Sequence, residues 1–285
     1  MIEKQAAMQQ AVVIPTEQRQ TNVPVSPDVP APSFNLPALV SPQEALLVIE
    51  ENLEGMGGGK FDKIKIPSGG GISFEVRDEN GETIPMKSLR GVIIHKKPFR
   101  AWYIKSFDEK TDEDTGIPDC FSDDMIHGSG CETAGIPAGQ LCATCPKGQW
   151  GSNRKGGKGK DCADKIRIHT LLEDCVFPIV IDLPPTSLQN FTNYINRLTN
   201  KLNCFYGVVT NIGLEKDKNV KGTEYSKATF AKSVNLTTQE KQAIKQYIEI
   251  LRPRMERISR ESIGEVDVVE VEADGTTGGE SDQLY

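Results

Sequence analysis

The chain has little histidine and no long hydrophobic run. Only three of its 285 residues are His. His95, His127 and His169 are scattered, with no HExxH or other nuclease-like spacing. No apolar stretch approaches the roughly 20 residues that a bilayer-spanning helix needs. The first ten residues, MIEKQAAMQQ, lack a basic start followed by an apolar core, so no secretory leader is expected. A phosphate-binding glycine loop and a Ser/His/Asp order are also missing. These absences point away from a membrane protein and from the common nucleotide-hydrolysing and peptidase classes. They suit a chain in the cytoplasm, where thiols stay reduced.

Basic residues are absent after Arg260, where Glu261, Glu265, Asp267, Glu270, Glu272, Asp274, Glu280 and Asp282 are all acidic. These acids more than account for the net charge of −7 and leave the rest of the chain near neutrality. Local fields, not the total, therefore decide what the surface attracts. Bulky apolar residues are sparse at the other end, where six prolines fall between Pro15 and Pro37. Such a stretch buries too little surface to offset its ordering entropy. The expected organisation is a disordered segment over 1–40, one domain over 41–260 and a disordered acidic tail over 261–285.

The domain reads as mainly β with flanking helices, an α+β chain. Ser41-Pro42 with Glu44 predicts a helix start, with an apolar stripe of Ala45, Leu46, Ile49 and Leu53 and a stop at Gly55 to Gly59. Residues 61–66 and 72–76 alternate across Pro-Ser-Gly-Gly-Gly, which predicts a hairpin. A long strand region from Gly91 to Phe107 contains Pro98, which implies an edge or a bend. Residues 108–163 show little periodicity and read as a large insertion that needs something to order it. Strands follow at 165–172 and 176–183, then a helix capped by Thr186 and Gln189. Two more strands run from Phe205 to Leu214 and from Glu224 to Val234. Thr237 with Glu240 caps a last helix, which Pro253 bends. From Gly91 the order is strand, insertion, strand, strand, helix, strand, strand. That is the chain order of an OB-fold, a five-stranded partly open barrel, with the insertion between strands 1 and 2.

Seven cysteines in a reducing compartment suit metal ligation or buried thiols better than disulfides. Cys142-Ala-Thr-Cys145-Pro146 places two thiolates where both can face one tetrahedral ion. Cys162 follows after a polar, glycine-rich link. The fourth ligand is open between Cys120, Cys131 and His127. Cys120 is favoured because it sits where the long strand region ends, so that zinc would staple both ends of the insertion. A redox CxxC fits less well, because such motifs open helices in a βαβ context. No open coordination position is evident, so the expected zinc is structural. Cys175 and Cys204 read as buried thiols.

Lys87 to Phe107 carries Lys87, Arg90, Lys96, Lys97, Arg100 and Lys105 and no acid, interleaved with Phe99, Trp102, Tyr103 and Phe107. Residues 147–160 add Lys147, Arg154, Lys155, Lys158 and Lys160 beside Trp150, again without an acid. Cations for phosphates and aromatic faces for unstacked bases are what single-stranded nucleic acid requires. The candidate contacts are Lys96, Lys97, Arg100, Trp102, Tyr103, Lys105, Trp150, Arg154, Lys155, Lys158 and Lys160. Strand aromatics such as Trp102 and Tyr103 are equally readable as core, whereas Trp150 lies in a polar loop where a core role is harder to supply. The carboxylates from Asp108 to Asp124 read as a solvated loop.

The run Cys142-Ala-Thr-Cys145-Pro146, Trp150-Gly151-Ser152, Gly157-Lys158-Gly159-Lys160 and Cys162, followed by Lys165-Ile-Arg-Ile, resembles a group of bacteriophage and mobile-element proteins associated with single-stranded DNA binding. The resemblance covers about residues 117–183. It implies a non-sequence-specific DNA-coating protein of replication or recombination in a bacterial host cell, rather than an enzyme. The acidic tail resembles those by which single-stranded DNA-binding proteins recruit replication or recombination proteins, and it reads equally as a simple solubilising tail. Two competing readings remain at this level. One is a zinc-ribbon nuclease or primase-like enzyme using carboxylates such as Asp164, Asp174 and Asp182. The other is a protein-interaction module.

Overall fold

The computed structural model describes residues 34–35, 42–54, 61–105, 109, 116–154, 156, 158–219 and 222–264. The expected disordered ends, apart from Phe34, Asn35 and the residues up to Gly264, lie outside the described residues. So do Ser41, the Gly55 to Gly59 stop, Phe107, most of the acids between Asp108 and Asp114, and Lys155.

The fold is α+β and rich in sheet. Helix α1 (Pro42–Leu53) precedes strands β1 (Lys63–Ile64), β2 (Phe74–Arg77), β3 (Thr83–Met86) and β4 (Ser88–Trp102). Strand β5 (Cys120–Ser122) lies inside the insertion, before β6 (Ala163–Leu172) and β7 (Ile179–Leu183). Helix α2 (Pro185–Thr199), strands β8 (Val208–Lys218) and β9 (Glu224–Asn235), helix α3 (Thr238–Met255) and short helix α4 (Arg260–Gly264) complete it. The main sheet runs β1-β7-β6-β4-β8-β9, with β5 attached to β4. Its pairings are antiparallel except β1 with β7.

Both faces of this curled sheet are covered. Ile93, Ile168, Ile181 and Leu183 pack on one side with Phe191, Tyr194 and Leu198 of α2. Val92, Ile94, Leu171 and Val209 pack on the other with Ala45, Leu46 and Ile49 of α1 and with Ile244, Tyr247, Ile248, Leu251 and Met255 of α3. Alternation along β4 sends Val92 and Ile94 one way and Ile93 the other. Each such side chain contributes about 1.5–3 kcal/mol through burial.

β4 joins the two halves of the sheet. It pairs with β8 only from Ser88 to Gly91, and with β6 from Gly91 to Ala101. At Gly91 a Cβ would meet the Leu171 carbonyl oxygen at 2.4 Å, so no side chain fits where the sheet curls. Pro98 lies between the β8 and β5 pairings, where that edge of β4 has no strand partner among the described residues. The missing N–H therefore costs no ladder bond, which accounts for a proline inside a fifteen-residue strand.

Several sequence expectations are corrected. Residues 61–66 and 72–76 do not form a hairpin with each other. Phe74–Arg77 pairs instead with Thr83–Met86, because the Asp78 carboxylate caps the intervening turn by accepting from Asn80 and Glu82 N–H, both at 2.9 Å. Lys63–Ile64 adds in parallel to β7. No side chain caps α2, whose N-cap is Pro184. Cys204 is exposed and Cys175 half-buried, because each lies in a connection and not inside a strand. Helix α4 lies across the expected boundary at 260. The capping box of α3 forms as expected, with Glu240 N–H donating to Thr237 Oγ1 at 3.2 Å and Thr237 N–H to Glu240 Oε2 at 2.6 Å.

Candidate metal centre and nucleic-acid interface

The site grows from the far end of β4. Pairing with β5 sets Trp102 opposite Cys120. Cys142 N–H donates to the Ile126 carbonyl at 2.8 Å, and Cys162 N–H to the Lys147 carbonyl at 2.8 Å. Cys145 opens a 3-10 turn over Pro146–Gly148. These bonds bring Cys120, Cys142, Cys145 and Cys162 to the lining of one cavity of about 20 Å³. That is room for a single atom-sized occupant. At Gly128 a Cβ would lie 3.1 Å from Cys120 Sγ, so the backbone there passes directly over the thiol.

The other two candidate ligands are engaged elsewhere. Cys131 Sγ contacts Thr133 Oγ1 at 3.2 Å, and His127 Nδ1 lies 2.8 Å from Asp124 Oδ2. Neither lines the cavity. Among the described residues no three Cys, His, Asp or Glu side chains stand at metal-holding geometry. The four cysteines thus line one cavity without their sulfurs being drawn together at metal-binding distances. Burial pushes the Cys162 thiol up to about 12, and Cys142 and Cys120 nearby add to the shift. A divalent cation in the cavity would reverse that field. Four thiols around an atom-sized space are a donor set that fits tetrahedral zinc.

Trp102 is not a base platform. It is 3% exposed, lines the thiol cavity, and donates its indole N–H to Asp161 Oδ2 at 2.8 Å. Asp161 is the residue that sequence reasoning missed. Its side chain is 6% exposed and pairs with Arg154 at 2.8 Å and Lys147 at 3.6 Å. Burial pushes its pKa up, but Arg154, Trp102 and the nearby cations outweigh this and hold it below the usual carboxylate range. Arg154 also donates to the carbonyls of Tyr103 and Ile104. It ties the loop to the end of β4 while remaining exposed.

Arg100 is also held by a carboxylate. Its Nε donates to Asp164 Oδ1 at 2.9 Å, and the guanidinium lines the thiol cavity. Lys97 donates to the Glu256 carbonyl at 2.5 Å and pairs with Asp123 at 3.4 Å, which holds it against the end of α3. Tyr103 is half-buried beside Lys165, 5.7 Å from its ring, and burial is the main cause that pushes its phenol up to about 12. Lys96 is exposed, with Nζ 5.9 Å from the Phe205 ring. Lys105 and Lys158 are exposed.

Trp150 stands apart. It is 78% exposed, and no other aromatic among the described residues is in the exposed class. Lys160 Nζ lies 5.0 Å from its ring centre and 2.8 Å from Asp164 Oδ2. Asp164 in turn holds Arg100. The exposed indole is thereby connected through Lys160, Asp164 and Arg100 to the thiol cavity. Gln149 donates to the carbonyls of Ala143 and Cys145 at 2.8 and 3.1 Å, which fixes the residue beside Trp150. A loop presenting an indole face, with Lys160 against it and an anchored base beneath, can stack a base and neutralise an adjacent phosphate.

The carboxylates of the enzyme reading do not meet. Asp164 is held by Arg100 and Lys160, Asp174 by Asn35, and Asp182 by Arg167 and Lys63. No helix among the described residues is long and apolar enough to cross a membrane. No family model, no curated protein and no solved structure matches the chain.

Proposed function

We propose that the protein binds single-stranded DNA without sequence specificity, through Trp150 and the lysines around it. The observation that carries the reading is an exposed tryptophan on a polar loop whose neighbours are anchored to the sheet. An indole left in water serves no packing purpose, and anchoring reduces the entropy lost when a base stacks on it. Lys96, Lys105, Lys158 and Lys160 supply phosphate contacts, whereas Arg100, Trp102 and Arg154 support the loop.

The domain is read as an OB-like barrel. With β5 of the insertion left aside, the five strands β4, β6, β7, β8 and β9 lie in the order third, second, first, fourth, fifth, which is the order of that barrel with its closure open. Ser226 Oγ of β9 donates to the Gly71 carbonyl at 2.7 Å, so the link between β1 and β2 reaches the fifth strand on the open side. Zinc held by Cys120, Cys142, Cys145 and Cys162 orders the insertion in this reading and takes no part in chemistry. The setting is phage or mobile-element DNA replication or recombination, with the acidic tail recruiting partner proteins.

The test is fluorescence anisotropy of a labelled single-stranded oligonucleotide with metal-replete protein at two salt concentrations, competed with duplex. Binding that weakens with salt and prefers the single strand supports the reading. Absence of binding at low salt refutes it.

A further inference from the structure

Helix α2 closes in a way that its sequence does not favour. Leu202 N–H donates to the Thr199 carbonyl at 2.9 Å, and Asn203 N–H to the Leu198 carbonyl at 3.0 Å. This pair of bonds ends a helix by turning the next residue into the left-handed backbone, a place usually taken by glycine and sometimes by asparagine. Here Leu202 takes it, with φ 55°. That backbone brings Cβ close to the following carbonyl oxygen, so a leucine is strained there. No packing offsets the strain. The side chain is 95% exposed, more than any other large apolar side chain among the described residues. Strain kept where nothing is packed points to function.

The surroundings are cationic. From Leu183 to Leu214 the chain has no acid, and it carries Arg197 and Lys201. Lys201, next to Leu202, is exposed. Phe205, three residues on, is half-buried, and Lys96 Nζ lies 5.9 Å from its ring centre. This pair repeats the one that Lys160 makes with Trp150. One sheet face connects the two pairs. Lys96 and Arg100 stand on the same side of β4, with exposed Pro98 between them, and about 13 Å apart. Arg100 is joined to Lys160 through Asp164.

We infer that Leu202 is a second contact for single-stranded DNA, a wedge that enters between two unstacked bases while Lys96 and Lys201 meet the neighbouring phosphates. Leucine is among the side chains that DNA-binding proteins insert between base steps. The occupant is a nucleic-acid strand and not a protein face, because an apolar knob in an acid-free stretch, with lysines beside it, matches bases flanked by phosphates. The inference rests on the proposed function and carries the strand's path from the thiol loop to the end of α2.

Leu202→Gly tests it, because glycine adopts the left-handed backbone without strain. The urea midpoint of this variant should not fall below that of the parent. Its affinity for a labelled single-stranded oligonucleotide should fall about fivefold, the lower end of what one stacked base contributes. Leu202→Met, which keeps an apolar side chain on the same backbone, should retain the parent's affinity. If the parent binds and Leu202→Gly binds equally well, the inference is overturned and the proposed function stands. A parent that does not bind overturns both. A lowered urea midpoint in Leu202→Gly also overturns it, since the side chain is then packed. Unchanged affinity with a loss of self-association assigns the knob to a second copy of the chain instead.

Discussion

Trp150→Ala is the decisive perturbation for the proposed function. Each base stacked on an aromatic side chain is worth about 1–3 kcal/mol, so losing one platform should weaken binding about 5- to 150-fold. The ring is 78% exposed, and truncating it removes little packing. Stability should therefore change by no more than about 0.5 kcal/mol. Trp102→Ala supplies the contrast. That ring is 3% exposed and its N–H is bonded to Asp161, so its loss should cost about 3–5 kcal/mol of stability. The assays are anisotropy with a labelled oligonucleotide and urea denaturation of both variants. Unchanged affinity in Trp150→Ala refutes the reasoning. So does a large loss of stability in that variant, because it means the ring is packed and not presented.

Three further outcomes follow from the geometry. Cys142→Ser in protein purified with zinc should lose bound metal and increase proteolysis between residues 116 and 160. Stoichiometric zinc in that variant sinks the ligand assignment. Asp182→Asn should destabilise the domain by about 3–5 kcal/mol, because it leaves Arg167 buried without its carboxylate; a urea midpoint within error of the parent contradicts this. His169 is 1% exposed, its Nδ1 has no hydrogen-bond partner among the described residues, and burial lowers its pKa from 6.5 to about 3. Below pH 6.5 the unfolded chain takes up a proton that the folded chain refuses, so stability is complete above that pH and falls towards pH 3. The loss is at most about 1.4 kcal/mol per pH unit, and urea midpoints for His169→Leu should show less pH dependence between pH 7 and 5 than those of the parent.

What the sequence revealed was local. The capping box at Thr237 and Glu240 lies within one turn, and the composition around Trp150 leaves an indole no core to enter. Pro98 signalled an edge because a missing N–H has the same consequence in any strand. The apparent hairpin at 61–76 misled because alternation names a strand without naming its partner, and the partner of Lys63–Ile64 lies more than a hundred residues away. Trp102 and Trp150 both sit among cations, yet only tertiary packing separates the one against Asp161 from the one in water. Asp161 carries no signal of its own, being one acid beside a cysteine. Its role arises from Arg154, Lys147 and Trp102 arriving from three directions.

The pairing of β4 with β6 has a consequence for how the chain folds. These strands bracket the whole insertion, from Trp102 to Ala163, and their register fixes its two ends whatever lies between. Loop closure cost rises only with the logarithm of length, about 0.6 kcal/mol for each doubling. The strands of the main sheet can therefore find each other while the insertion is still unformed, and shortening or exchanging the insertion changes the closure cost little. What β4 and β6 present is an attachment point of constant geometry, on which insertions of different length and content can be carried by the same sheet.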